Sequence, residues 1–127
     1  NIIILSGNPH HQITAEAKML NLTKFCNGHV YGHTDANNFS KQAVLEKLML
    51  EESFNGDEFL MFGDGAAEIE AACSLGGLPI AVCSDEHQNG SGRIDENKRA
   101  VLLEAGANVV IADYREPNTL LDLLTGK

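Results

Sequence analysis

Residues 59–70 read FLMFGDGAAEIE, and no other stretch constrains the fold as tightly. Four apolar residues run straight into Gly63-Asp64-Gly65, and helix formers follow at once. An apolar run of that length, stopped by glycine, reads as a buried strand. The pattern predicts a strand, a tight turn and a helix. Asp64 then stands at the carboxyl end of a parallel strand, where open α/β sheets place their ligands. Glu68 comes four residues later, in the first helical turn, and would face the same crevice. Two converging carboxylates repel each other unless a cation lies between them, and a hard divalent ion with oxygen ligands, Mg2+, suits the pair. A purely structural reading stands beside this one. In it, Asp64 caps the helix and Glu68 complements the helix dipole, an effect of about 0.3–1 kcal/mol.

The rest of the chain repeats the strand-then-helix pattern. The run Ile2 to Leu5 is apolar and β-branched, and it ends at Ser6-Gly7-Asn8-Pro9. This predicts a buried strand, a turn and a helix over 9–22, with Pro9 near its first position and Asn8 as its cap. Ser6 would offer a hydroxyl beside a helix N-terminus, a position that suits an anion or an ordinary local turn. A turn at Asn27-Gly28 and a short strand at His29-Val30-Tyr31 follow, then a polar loop over 32–38. Ser40 is the expected cap of a helix over 41–50 with Val44, Leu45 and Leu48 on one face. Lys41 opens that helix on the unfavourable side of the dipole, which points to an anion or to a solvated surface lysine.

Beyond the central turn, Gly76-Gly77 should end the helix and 78–83 should form a strand. The polar stretch 84–92, SDEHQNGSG, is predicted to be a mobile loop. Asp95 is the expected cap of a helix over 97–105, with Val101, Leu102 and Ala105 inward. A strand over 108–112 and a helix over 117–124, with Leu120, Leu121 and Leu124 inward, close the chain. Strands alternating with helices, joined by connections too long for hairpins, predict an α/β fold: a Rossmann-like parallel sheet with helices on both faces.

Charge and cysteine usage limit the partners. The chain has 127 residues, enough for one domain, and a formal net charge of -9. So acidic a surface disfavours nucleic acid and anionic membrane. It still accommodates a phosphorylated small molecule if a metal and local donors neutralise the phosphate. The three cysteines show no CxxC or zinc spacing, which predicts free thiols in a reducing, cytoplasmic setting. The histidines read as structural or surface residues; His10 and His11 are adjacent and face one metal poorly from a helix.

In order, then, a strand ends in Ser6, a helix begins at Lys41, and a strand ends in GDGAAE. This order resembles the haloacid-dehalogenase-like (HAD) superfamily of phosphohydrolases. ILSGNP is similar to the family's second motif, the lysine helix to its third and GDGxxE to its fourth; AACSLGGLPIAV and GANVVIAD are similar to the segments that follow. The resemblance spans nearly the whole chain and is most specific at GDGxxE. It implies that Ser6 and Gly7 bind phosphate, that Lys41 neutralises phosphate and nucleophile, and that Asp64 and Glu68 hold Mg2+. It also implies a covalent route in which a strand-end aspartate, the first of a DxD motif, attacks phosphorus. That motif would lie upstream of Ser6, and the chain opens directly into its first strand at Asn1.

The expectation is therefore a core of 127 residues lacking the nucleophile strand, as a fragment or as one domain of a longer polypeptide. By itself it should be inactive, with an upstream segment or second chain completing the sheet. A catalytically silent binding or regulatory module of the same fold is the alternative. A dinucleotide binder is weaker still, because no GxGxxG follows the first strand.

Overall fold

The computed structural model describes residues 1–35 and 39–126. Strands and helices alternate: β1 (Ile4–Pro9), α1 (His10–Met19), β2 (Val30–His33), α2 (Lys41–Glu51), β3 (Leu60–Gly63), α3 (Ala66–Ser74), β4 (Leu78–Val82), α4 (Glu96–Glu104), β5 (Val109–Ile111) and α5 (Pro117–Thr125). Each expected strand and helix is present, and every ladder between these strands is parallel. The strands form two sheets, β1-β2 and β3-β4-β5. The chain divides accordingly into two compact units, Asn1–Glu52 and Ser53–Lys127. Among the described residues, no helix is long and apolar enough to cross a membrane.

In the first unit, β1 runs further than its apolar residues suggest. Ile4 pairs with Val30 and Leu5 with Tyr31, but the next pair is Pro9 with His33, so the register shifts between Leu5 and Pro9. Ser6, Gly7 and Asn8 thus lie in an irregular stretch of strand, where the sequence reads as a turn. Asn8 does not cap α1; the cap position is Pro9, with no side-chain bond. Proline suits a helix entrance because its φ is fixed and its absent N–H would be unpaired there anyway. The helix ends at Met19 rather than Leu22, and Asn21 takes a left-handed φ of 57°. Consecutive left-handed residues at Asn27 and Gly28 turn the chain into β2, which absorbs Gly32 and His33 from the expected loop. The remainder of that loop, 36–38, lies outside the described residues. Ala17, Cys26 and Val30 form a small core with Ile4 and Ile13 against it. In α2, the Ser40 hydroxyl accepts a hydrogen bond from the Ala43 amide at 3.0 Å, and Leu45 and Leu48 are buried.

The second unit centres on β4, which has β3 on one side and β5 on the other. Ile69 of α3, Ala81 of β4, Cys83 and Leu102 of α4 form its core, with Ile94, Ala105, Ala107 and Val110 around them. Gly76, at φ 80°, ends α3 as expected, and the Asp95 carboxylate caps α4 by accepting from the amides of Asn97 and Lys98, both at 3.0 Å. Two predicted inward residues point out: Val101 is 54% exposed and Leu121 is 56% exposed. Each helix has one narrow contact face. In α4 Leu102 occupies it, and in α5 Leu120 and Leu124, four apart, are the half-buried pair.

The loop expected to be mobile is tied down. Ser84 and Ile94 form a bridge, Asp85 accepts from the amides of His87 and Gln88, and Arg115 donates to the Gly90 carbonyl while pairing with Asp113. The polar residues that suggest mobility in sequence are the ones that make these bonds.

Removing buried volume from the second core should cost most. Ile69→Ala and Leu102→Ala are each expected to lower stability by about 2–5 kcal/mol in urea denaturation, while Val101→Ala and Leu121→Ala should stay within about 0.5 kcal/mol.

Candidate functional site

The candidate residues fall into two groups, one in each unit. In the first unit, Ser6 is half-buried in the irregular part of β1 and its Oγ accepts from the Asn8 amide at 3.1 Å. The local-turn reading of Ser6 is therefore correct as far as it goes. A hydroxyl that accepts one bond still has a proton to donate. Lys41 opens α2 and lies over Gly7: its Cε is 4.0 Å from where a Cβ on Gly7 would stand. The strand irregularity and the Ser40-capped helix thus put Ser6, Gly7 and Lys41 in one place.

In the second unit, Asp64 is exposed immediately after β3. It does not cap α3. The cap position is Gly65, with no side-chain bond, so the capping explanation for Asp64 fails. Glu68 does sit in the first turn, where the dipole favours a carboxylate. Its side chain folds back over the turn. A Cβ on Gly65 would stand 2.7 Å from Glu68 Oε2, and a Cβ on Gly63 would stand 2.6 Å from the Glu68 Cβ. Neither glycine has a positive φ. They are required for space, so that Glu68 can lie across the turn that carries Asp64.

Two further side chains of this unit feel the charge of Asp64. Lys98, in the first turn of α4, is only 17% exposed, and its ammonium donates to the Ser84 carbonyl at 3.2 Å and to Glu86 Oε1 at 3.0 Å. Burial pulls its pKa down, but the hydrogen bond and charge of Glu86, together with Asp64 and Asp95, raise it above the ordinary lysine value. Tyr114 packs its ring against Phe62 at 5.7 Å, and its phenol is held above the ordinary value first by burial and then by the charge of Asp64. Sequence reasoning missed both. The signal that singles out Lys41, a lysine in the first turn against the dipole, is equally present at Lys98. Nothing in the pattern around Tyr114 marks it.

Other chemistry finds little support. Cys83 is fully buried, and that burial pushes its thiol up, away from the thiolate a nucleophile needs. Cys26 is buried too, while Cys73 is exposed; all three are free. Three of the five histidines engage in local structure. His10 Nδ1 accepts from the Gly32 amide at 3.2 Å, His29 shares a hydrogen bond with the Tyr31 hydroxyl at 3.0 Å, and His33 lies against Phe39. Among the described residues no three His, Cys, Asp or Glu converge as a metal-binding group. Asp64 and Glu68 are thus an all-oxygen pair, the donor type a hard cation takes, supplying part of a shell that water or phosphate oxygens can complete.

No protein-family model and no curated protein matches the chain. Two solved structures do. One is a conserved haloacid dehalogenase-like protein of unknown function from Agrobacterium tumefaciens, at TM-score 0.74 and 16% identity over 97% of this chain and 54% of that one. The other is a HAD family hydrolase from Deinococcus radiodurans with bound phosphate and sodium, at TM-score 0.72 and 14% identity over 97% of this chain and 52% of that one. The fold is haloacid-dehalogenase-like. The chain spans about half the length of either structure, and at this identity the likeness carries the fold alone. The expected HAD-like α/β architecture is therefore present, with GDGAAE at the strand-turn-helix junction predicted for it.

Two measurements probe the acidic turn. Gly63→Ala forces a Cβ onto the fixed Cβ of Glu68 and should destabilise by about 1–3 kcal/mol in denaturant, whereas Gly65→Ala meets a movable carboxylate end and should cost less. The chain has two tyrosines, so their ionisation can be followed spectroscopically. Both phenols are raised, so both should ionise above the ordinary value of 10.0. Asp64→Asn removes a charge that raises Tyr114 alone, and should lower that midpoint while leaving Tyr31 in place.

Proposed function

We propose that this chain is the phosphate- and metal-binding core of a Mg2+-dependent phosphohydrolase acting on a small phosphorylated metabolite. The observation that carries this reading is the Glu68 carboxylate folded back across Gly63-Asp64-Gly65 at the carboxyl end of β3. Two carboxylates gathered at a strand end repel each other, and a cation held between them relieves that repulsion. The haloacid-dehalogenase-like fold and the phosphate bound to the Deinococcus hydrolase support the same reading.

In this mechanism Ser6 donates its hydroxyl proton, and Gly7 its amide, to phosphoryl oxygens. Lys41 contributes a positive charge that grows more favourable as charge develops in the transition state. Asp64 and Glu68 would hold the divalent ion, which when bound neutralises phosphoryl oxygens as a Lewis acid. The attacking carboxylate comes from a further strand, supplied by an upstream segment or a second chain. The second unit's sheet can accept one, because β3 pairs only with β4 among the described strands. Free cysteines suit a reducing cytoplasm as the setting.

Calorimetric titration with Mg2+ tests the metal step in the protein completed by its DxD-bearing strand. Asp64→Asn should weaken binding at least tenfold, while Glu70→Gln, an exposed neighbour, should change it little. Equal effects would reduce the acidic pair to a structural feature. The 127-residue chain alone should show negligible turnover of generic phosphomonoesters, and adding the DxD segment should restore it. A completed protein that binds Mg2+ and phosphate without turnover would be a binding module.

A further inference from the structure

Lys98 has no part in the mechanism above, yet it is held firmly just past the end of β4. Its stem is covered, its side chain being 17% exposed, and two of its three ammonium protons are taken by the Ser84 carbonyl and Glu86. The register pairs Gly63 with Ala81, so Asp64 stands level with Val82 and the Ser84 carbonyl lies two residues further on. That is a step of roughly 7 Å past the level of Asp64, along the same carboxyl edge of the sheet. The ammonium is therefore held over the strand ends, within the electrostatic field of Asp64, with one N–H left to donate.

Its neighbours explain how it stays there. Asp95 caps the helix that carries it, Glu86 belongs to the short helical turn at Glu86–Gln88, and the Ser84–Ile94 bridge closes the base of the loop. A clamp for this loop would be a sufficient structural duty. The carboxyl edge beside an acidic turn is nevertheless a costly place for a cation-binding site to keep a second cation, because Lys98 repels any metal held by Asp64. The positive charge makes sense if an anion binds at the same edge.

We infer that Lys98 is an anion-facing cation at the Asp64 edge of the second unit, donating its remaining N–H to a phosphoryl oxygen or to the group that the phosphate esterifies. The inference rests on the reading that a phosphoryl group docks at the Asp64 edge. It assigns the second unit its own anion contact, independent of Ser6 and Lys41. The loop over 84–94 then serves two purposes: it covers the lysine stem and aims the ammonium.

The experiment uses the full chain, with inorganic phosphate as the probe, with and without Mg2+, followed by amide chemical shifts. Four proteins are compared: wild type, Lys98→Gln, Lys98→Arg and Glu86→Gln. If Lys98 faces the anion, Lys98→Gln should weaken phosphate binding about tenfold and Lys98→Arg should largely restore it. Glu86→Gln frees the ammonium from its competing carboxylate and should leave binding unchanged or tighten it. In the same titrations Lys98→Gln should tighten Mg2+ about threefold to tenfold, because a positive charge near the metal has gone. A loop clamp and nothing more predicts otherwise: Lys98→Gln and Glu86→Gln would weaken phosphate alike, with faster hydrogen exchange at the His87 and Gln88 amides in both. That outcome, or phosphate binding indifferent to Lys98, or no phosphate binding by wild type, overturns the inference. Failure of Mg2+ to bind, with phosphate still dependent on Lys98, would instead overturn the metal reading and leave this one standing.

Discussion

The second unit depends on one close approach: the side chain of Glu68 lying across Gly63-Asp64-Gly65. Without side chains at 63 and 65, the first turn of α3 can close down on the end of β3, and the strand, turn and helix become a single rigid junction. That junction fixes where Asp64 stands. It also places Ile69, one residue beyond Glu68, fully buried against β4 and α4, so the same turn that shapes the acidic edge anchors the core beneath it. Moving Glu68 outward would disturb both.

The net charge of -9 conceals where the positive charge lies. Lys41 and Lys98 each sit in the first turn of a helix, where the macrodipole disfavours a cation. Each follows a residue that caps its helix, Ser40 and Asp95, so the helix forms despite the lysine. Lysines in these places cost a little stability, which the caps offset. Lys98 adds a second effect, because its hydrogen bonds tie down the loop that follows β4.

The sequence by itself determined the order of elements and most of their boundaries, because these are local matters. Apolar runs stopped by glycine, the caps at Ser40 and Asp95, the left-handed pair Asn27-Gly28 and the stop at Gly76 all act over a few residues and are found where the pattern puts them. Asp64 and Glu68 were legible for the same reason, since strand, turn and first helical turn are adjacent in the chain. Asn8 misled, because proline opened α1 without a side-chain cap and the strand ran on through a shifted register.

What only the tertiary structure decided depends on segments distant in sequence. Val101 and Leu121 lie on apolar faces by periodicity, but the width of each helix contact is set by the partner it packs on, and both ended in solvent. The loop after β4 reads as mobile until Arg115 and Lys98, from later elements, bond to it. Lys98 itself stands 34 positions from Asp64 in sequence, and Tyr114 further still. A parallel sheet delivers its strand ends, and whatever follows them, to one edge, so it set all three along the same edge where no spacing in the chain could announce it.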